Sequence, residues 1–503
     1  MNNSNLIPIY AEIFLVVATS AILLIDMFLS EAKRGITYAL SLFALVGCAY
    51  FTFVDFNAGT TTYSFYNMVV SDPMGNLLKL FTYLTVGVTF VYSRQYTHDR
   101  GMLGGSLGGE FYVLALFSML GQMVMISANN FLSIYLGLEL MSLATYALVA
   151  LRRDHPISTE AAMKYFVLGA LASGFLLYGM SMLYGATGTL DLSTLAQKVS
   201  SGTVTPTILV FGLVFLVAGL GFKLGAVPFH MWVPDVYQGS PTGVTLLLGA
   251  APKLATFAIC IRLLVEGLLP MAFDWQQMMM VLAVLSLAIG NLTAIAQTNL
   301  KRMLAYSTIA QIGFVALAMM AGVTGVEQAD GKILPDTANA APAYSAAMYY
   351  SITYVLTTLG TFGLIMVLAR SGHEAEELSD FRGLSKRSPW FALVMTLLMF
   401  SLAGVPPMMG FAAKLAVLQT VLHTGQLWLT IFAVMASLVA AFYYLRVVKT
   451  MWFDEPVDTA PIKVATDKNI VLGLNALLVL VLGVVPGPLL DACLHAMSKT
   501  LAS

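Results

Sequence analysis

Apolar residues run through this chain in continuous blocks of about 20, parted by short polar connections, from one end to the other. A block of that length crosses a ~30 Å hydrocarbon core as a helix. The blocks are continuous rather than alternating, which argues against a barrel. Hydropathy predicts about 14 spans, near 7–29, 35–53, 76–92, 111–126, 131–151 and 161–183, then 206–227 with a short continuation over 229–236. The remainder fall near 245–268, 278–296, 303–323, 343–369, 390–422, 428–451 and 470–485. The pattern therefore predicts an all-α polytopic membrane protein. The first block follows MNNSN, which has no basic stretch, and is expected to be a retained span rather than a cleaved signal.

Two blocks contain helix breakers. Pro228 is expected to clash with the carbonyl of Leu224 and leave it without a partner, and Pro406–Pro407 to free the carbonyls of Leu402 and Ala403. Broken helices in a bilayer are tolerated where they line a cavity or are enclosed by protein. If spans four to eight and nine to thirteen are two units, each break falls in the fourth helix of its unit. That spacing predicts two inverted five-helix repeats. The chain then divides into N-terminal helices (1–110), a first repeat (111–275), a second repeat (276–452) and a C-terminal span (453–503).

Composition sharpens this picture. Of the 503 residues, 58% are hydrophobic and 10% charged, where a soluble domain has roughly 25% charged. No gap between blocks is long enough to bury a core of its own, and no glycine-rich nucleotide fingerprint follows a strand. Cys48, Cys260 and Cys493 stand alone in apolar surroundings and have no metal or redox spacing. With a net charge of -1, nothing points to nucleic acid, and any redox chemistry must belong to partners.

Basic residues alternate between the two sides. One set of connections carries Lys33, Arg34, Arg94, Arg100, Arg152, Arg153, Lys301, Arg302, Arg370, Arg382, Lys386, Arg387, Arg446, Lys449, Lys463 and Lys468. The opposite set carries little beyond Lys198, Arg262, Lys332 and Lys499. The basic side is expected to be cytoplasmic, which puts both termini outside.

Five lysines fall within spans or beside the breaks: Lys79, Lys164, Lys223, Lys253 and Lys414, with Glu139 in the middle of its own block. A charge at the bilayer centre costs at least ~2.5–3.5 kcal/mol, so each needs a partner, water or a proton to give up. Burial disfavours the charged form of lysine and a nearby carboxylate favours it; a lysine poised between the two can load and release a proton. Lys223, Lys253, Lys414 and Glu139 are the strongest candidates. Lys79, Arg262, Arg446 and Lys449 lie nearer span ends, where snorkelling to water is the expected reading. Lys164 and His230 stand evenly between relay and structural roles, and Tyr306 and Ser307 fit ordinary helix–helix hydrogen bonds better than a water path.

Residues 223–243 (KLGAVPFHMWVPDVYQGSPTG), 298–313 (TNLKRMLAYSTIAQIG) and 404–414 (GVPPMMGFAAK) together resemble the proton-pumping membrane subunits of respiratory complex I and their antiporter relatives. The resemblance covers roughly residues 111–451, and Lys414 is similar to the members with lysine there rather than glutamate. It implies two inverted five-helix repeats, each with a broken helix and half of a proton path. It further implies that Glu139 tunes Lys223, that Lys253 passes the proton across the middle and that Lys414 releases it outward, with Lys164 and His230 as connecting groups. FMN, iron–sulfur clusters and quinone would sit in partner subunits, reached through other membrane subunits and a peripheral redox arm. The location implied is the bacterial inner membrane. A subunit of a multi-subunit cation/proton antiporter is the alternative.

Overall fold

The computed structural model describes residues 6–100, 102, 108–202, 204–327, 333–369, 373–456, 462 and 464–502. Lys332, Arg370 and Lys463, three of the cations used to orient the chain, lie outside the described residues. In chain order the helices are α1 (Tyr10–Asp26), α2 (Gly35–Ala58), α3 (Pro73–Asp99), α4 (Glu110–Ser127), α5 (Phe131–Val149), α6 (Pro156–Thr187) and α7 (Leu192–Ser200). Then come α8 (Pro206–Leu224), α9 (Trp232–Gly239), α10 (Thr242–Gly249), α11 (Ala251–Cys260), α12 (Ala272–Ile295), α13 (Leu300–Met320) and α14 (Ala340–Leu368). The last six are α15 (Leu384–Arg387), α16 (Pro389–Ala403), α17 (Met409–His423), α18 (Leu427–Phe453), α19 (Thr466–Val484) and α20 (Gly487–Leu501).

Among the described residues, thirteen helices are long and apolar enough to cross a membrane. The predicted twelfth span is split into α16 and α17, apolar helices of 15 residues each. Helix α7 and two antiparallel hairpins (Thr62–Ser64 with Val69–Ser71, Thr324–Glu327 with Ile333–Asp336) fill connections for which hydropathy predicts nothing, and helix α20 follows the last predicted span. Several helices outrun their apolar stretch because capping residues extend them. Helix α6 starts at Pro156 behind His155, whose ring accepts from the Ser158 N–H, and ends at Gly188 in the left-handed region.

Packing partners recur along the chain. Helix α4 lies on α5 as α12 lies on α13; α6 lies on α8 as α14 lies on α16 and α17; α11 meets α4 as α18 meets α12. The centre is closed off from the surroundings: the eighth and tenth spans are 94% buried and the eleventh, α14, is 100% buried, against 28% for α2 and α19. A charged group on the central helices therefore cannot snorkel outward.

Both predicted breaks are present, but glycine rather than proline ends the helix. Gly225 (φ +79°) and Gly404 (φ +82°) occupy the left-handed region ahead of Pro228 and Pro406. The Ala226 N–H donates to the Gly221 carbonyl at 2.8 Å, and the Val405 N–H to the Phe400 carbonyl at 2.9 Å, the same C-terminal closure twice. The Val227–Pro228 and Pro406–Pro407 bonds are both cis. A third interruption corrects the expectation of an unbroken eighth span. The chain departs from helix at Ala250 (φ −117°, ψ −87°), two residues before Pro252, and the span finishes as a π-helix over Ile261–Gly267.

Candidate functional site

The end of α8 leaves backbone carbonyls that no further helical turn can satisfy. Lys253 Nζ donates to the Leu224 carbonyl at 2.7 Å, and Trp232 Nε1 donates to the Phe222 carbonyl at 3.0 Å. The interruption at Ala250 puts Lys253 in the first turn of α11, close enough to reach across. The lysine is only 3% exposed, and its ammonium lies 5.6 Å from the centre of the Trp232 ring. Trp232 is itself fixed between Tyr165 and Phe222, with ring centres 4.8 and 5.5 Å away.

The end of α16 repeats this chemistry. Lys414 Nζ donates to the Leu402 carbonyl at 3.1 Å and to the Ala403 carbonyl at 3.0 Å, the two groups that the sequence predicts to be freed. Its ammonium lies 5.2 Å from the Phe314 ring centre, and the residue is 6% exposed. Each lysine thus meets the negative end of a helix dipole inside the protein, where that end would otherwise be unpaired.

Polar side chains of α13 and α14 adjoin the second break. Gln311 Nε2 donates to the Leu402 carbonyl and to the Tyr444 hydroxyl, both at 3.1 Å, and its oxygen accepts from Tyr350. Ser307 pairs with Tyr444, and the Thr308 and Tyr354 hydroxyls are 2.6 Å apart. A cavity of about 10 Å³, room for roughly one water, lies among Tyr350, Tyr354, Gln311 and Lys414. Sequence reasoning missed Gln311, Tyr350, Tyr354 and Tyr444. The signal was available as polar residues four apart, Ser307 with Gln311 and Tyr350 with Tyr354, on helices apolar enough to span. Tyr306, named beside Ser307, points elsewhere and lies under the Arg302 guanidinium at 5.9 Å.

Lys223 is in the last turn of α8 and donates to Ser142 Oγ of α5 at 2.8 Å. Glu139 lies one turn before Ser142, the residue that accepts from Lys223, and no ion pair joins Glu139 to Lys223 among the described residues. Glu139 itself is half-buried, and its Oε1 is enclosed without a hydrogen bond among the described residues. His230 lies half-buried in the linker after the first break, its Nδ1 enclosed and without a partner among the described residues. Lys164 stands apart from this group. It lies on the outer face of α6, paired at 2.8 Å with both Asp235 and Glu160, and Asp235 also holds Arg302 at 2.7 Å.

Two expectations of snorkelling fail. Lys79 is 2% exposed and is bound to Glu12 of α1. Arg262 is 1% exposed and pairs with Asp72 and Glu266, both at 2.6 Å, while Asp72 also caps α3 through the Gly75 N–H and accepts from Thr500. In both cases a carboxylate distant in sequence supplies the partner that water was expected to supply. Arg446 likewise donates to the carbonyls of Ile295 and Gln297.

The fold is shared with known proteins. The profile of the NADH:quinone oxidoreductase/Mrp antiporter transmembrane family matches residues 128–334 and 334–440, which take in both breaks and every lysine of the site. The chain belongs to this family. A relative from Herminiimonas arsenicoxydans, NADH-quinone oxidoreductase subunit N, is 66% identical over 503 residues, with both chains covered completely. Within the same family, a chain of respiratory complex I from Thermus thermophilus with bound aureothin superposes with a TM-score of 0.79 at 30% identity, covering 97% of this chain and 100% of that one. A chain of the Mrp complex from a Dietzia species superposes at 0.78 with 18% identity, covering 100% and 99%, a likeness of fold alone.

Proposed function

We infer that this chain is the proton-translocating membrane subunit of a bacterial NADH:quinone oxidoreductase. The observation that carries the reading is the pair of broken transmembrane helices whose freed carbonyls are held by the buried lysines Lys253 and Lys414. The 66% identity to a subunit N over the whole chain supports the assignment to that complex. The T. thermophilus likeness supports assembly with other membrane subunits and a peripheral arm. FMN, iron–sulfur clusters and quinone belong to those partners in this reading.

The chain's own residues move the proton. Glu139, one turn from Ser142 on α5, sets the charge around Lys223, and Ser142 holds the Lys223 ammonium in place. The proton passes from Lys223 to Lys253, crosses through the hydroxyl and amide groups of α13 and α14, and reaches Lys414, which releases it outward. The helix C-terminus favours each seated lysine as ammonium while its burial disfavours the charge, and a lysine poised between the two can load and release a proton. His230 connects the first break to this path, and Lys164 with Asp235 gathers protons on the side of the basic loops. That side is cytoplasmic and both termini are periplasmic in this reading. The recurring helix partnerships support residues 111–275 and 276–452 as the two repeats.

The test is to purify the complex with Lys253→Met or Lys414→Met, confirm its subunits, and record proton uptake into vesicles together with NADH oxidation. Normal pumping in both variants would remove the relay. The second reading, a cation/proton antiporter subunit, rests on the Mrp fold likeness. It predicts co-purification with antiporter subunits and sodium-dependent transport in place of flavin and iron–sulfur partners.

A further inference from the structure

Helix α14 is enclosed along its whole length, and its end on the side of the basic loops meets a cavity of about 70 Å³, room for a few waters. Met366 and Val367 of α14 line that cavity together with Asp99 of α3 and Lys468 of α19. Asp99 is exposed and accepts from Gln95 at 2.7 Å. Deeper along α14, the Thr357 and Ser401 hydroxyls are 3.3 Å apart, and both line the small cavity at Lys414.

Between the two cavities α14 carries Gly363 and Gly360. The Tyr92 ring of α3 lies on Gly363, where a Cβ would stand 2.7 Å from it. The amide of Asn475, from α19, lies on Gly360, where a Cβ would overlap its Oδ1. Asn475 Nδ2 donates to the Leu356 carbonyl at 3.0 Å, which fixes the amide. Tyr92 is 0% and Asn475 6% exposed, yet the Tyr92 hydroxyl and Asn475 Oδ1 have no hydrogen-bond partner among the described residues.

Packing alone does not account for these two groups. Phenylalanine and leucine would fill the same space without burying a polar atom that the protein leaves unsatisfied. Such atoms are where ordered water sits in a protein interior. Their positions also form a line. Val367, Gly363, Gly360, Thr357 and Thr353 are three or four residues apart, one stripe of α14 about 21 Å long at a rise of ~1.5 Å per residue. Each step along it is about one helical turn, ~5 Å, a gap that one water bridges.

We propose that this stripe is a second proton uptake path, leading from the basic-loop side to Lys414 without passing Lys253. It rests on the inference above that Lys414 releases protons outward. A proton enters at the carboxylate of Asp99 and moves along hydrogen bonds to the neutral amine of Lys414. The Tyr92 hydroxyl accepts one and donates one, the Asn475 oxygen orients the water beside it, and Thr357 and Ser401 complete the line. Lys414 gains one proton, and every group between ends as it began.

The test is proton pumping relative to NADH oxidation by the purified complex in proteoliposomes, with the unfolding temperature recorded. Tyr92→Phe keeps the ring on Gly363 and removes only the hydroxyl, so a merely structural role predicts no change in either readout. Loss of one of two routes of similar flux lowers pumping about twofold in Tyr92→Phe and in Asn475→Leu, with the unfolding temperature of Tyr92→Phe unchanged. Because the path bypasses Lys253, adding Tyr92→Phe to Lys253→Met lowers the remaining pumping severalfold further. Unchanged pumping in Tyr92→Phe, a drop that comes with a lower unfolding temperature, or no further drop on Lys253→Met overturns the proposal and leaves the relay standing. The relay fails on a different result, normal pumping in both Lys253→Met and Lys414→Met.

Discussion

The two broken helices meet the same need with different parts. At the first, the lysine comes from a neighbouring helix, α11, which is itself interrupted so that Lys253 can reach the Leu224 carbonyl. An indole shares the load by taking the Phe222 carbonyl. At the second, the lysine comes from the far half of the same broken helix, and Gln311 of α13 shares the Leu402 carbonyl with it. What is repeated is the exposed helix end and the ammonium seated on it, not the position in sequence from which the ammonium comes. The two breaks therefore share their chemistry without sharing the helix that supplies the lysine.

The comparison breaks first at the lysines. Lys253→Met and Lys414→Met each keep most of the side-chain volume, remove the titratable group and leave backbone carbonyls unpaired. Each is expected to lower proton pumping at least tenfold relative to NADH oxidation, about 1.4 kcal/mol or more for the transfer. The measurement is dye quenching in inverted vesicles, with assembly checked on a native gel. If only one variant loses pumping, the two breaks are not equivalent.

A smaller effect is expected at the glycines that end the helices. A Cβ on Gly404 would stand 2.8 Å from Lys414 Cδ, and one on Gly225 2.8 Å from Val233 Cγ2, both on top of a left-handed backbone. Gly225→Val and Gly404→Val should each cost about 1–3 kcal/mol, read as a lower unfolding temperature of the purified complex. The helper groups come next. Trp232→Phe and Gln311→Leu each remove one donor to a carbonyl, worth about 1 kcal/mol, and should lower pumping severalfold. Gln311→Leu should matter more in a Lys414→Met background, where Leu402 then loses both donors, whereas Trp232→Phe combined with Lys414→Met should be additive.

The smallest effect is expected at Lys164. It is half-exposed and paired with Asp235 and Glu160, an arrangement worth ~0–1 kcal/mol, so Lys164→Ala should change pumping by less than about fivefold. A total loss there would move Lys164 from the gathering side of the path to its core.

How far the sequence carries the reader depends on whether a feature is local. The spans were legible because twenty apolar residues in a row have one stable solution in a bilayer. The freed carbonyls of Leu402 and Ala403 were legible from Pro406 and Pro407 alone. That Lys414 sits on those carbonyls was not, because a side chain's partner depends on how the chain folds back. The same reason hid Glu12 from Lys79 and Asp72 from Arg262, pairs separated by 67 and 190 positions. The interruption before Lys253 was within reach, since Pro252 is local, but the apolar run around it masks the signal. Helix α20 was missed because its pattern is mixed and it packs on α3 and α14 rather than crossing alone.

Arginine separates seating on a carbonyl from carrying a proton. It keeps a cation and several donors for the helix end but cannot give up a proton under these conditions. The decisive measurement is the proton-to-electron ratio of purified complex in proteoliposomes carrying Lys414→Arg, with the unfolding temperature recorded alongside. The relay predicts an assembled complex of near-normal stability whose ratio falls. An unchanged ratio would mean that Lys414 only holds the broken helix together.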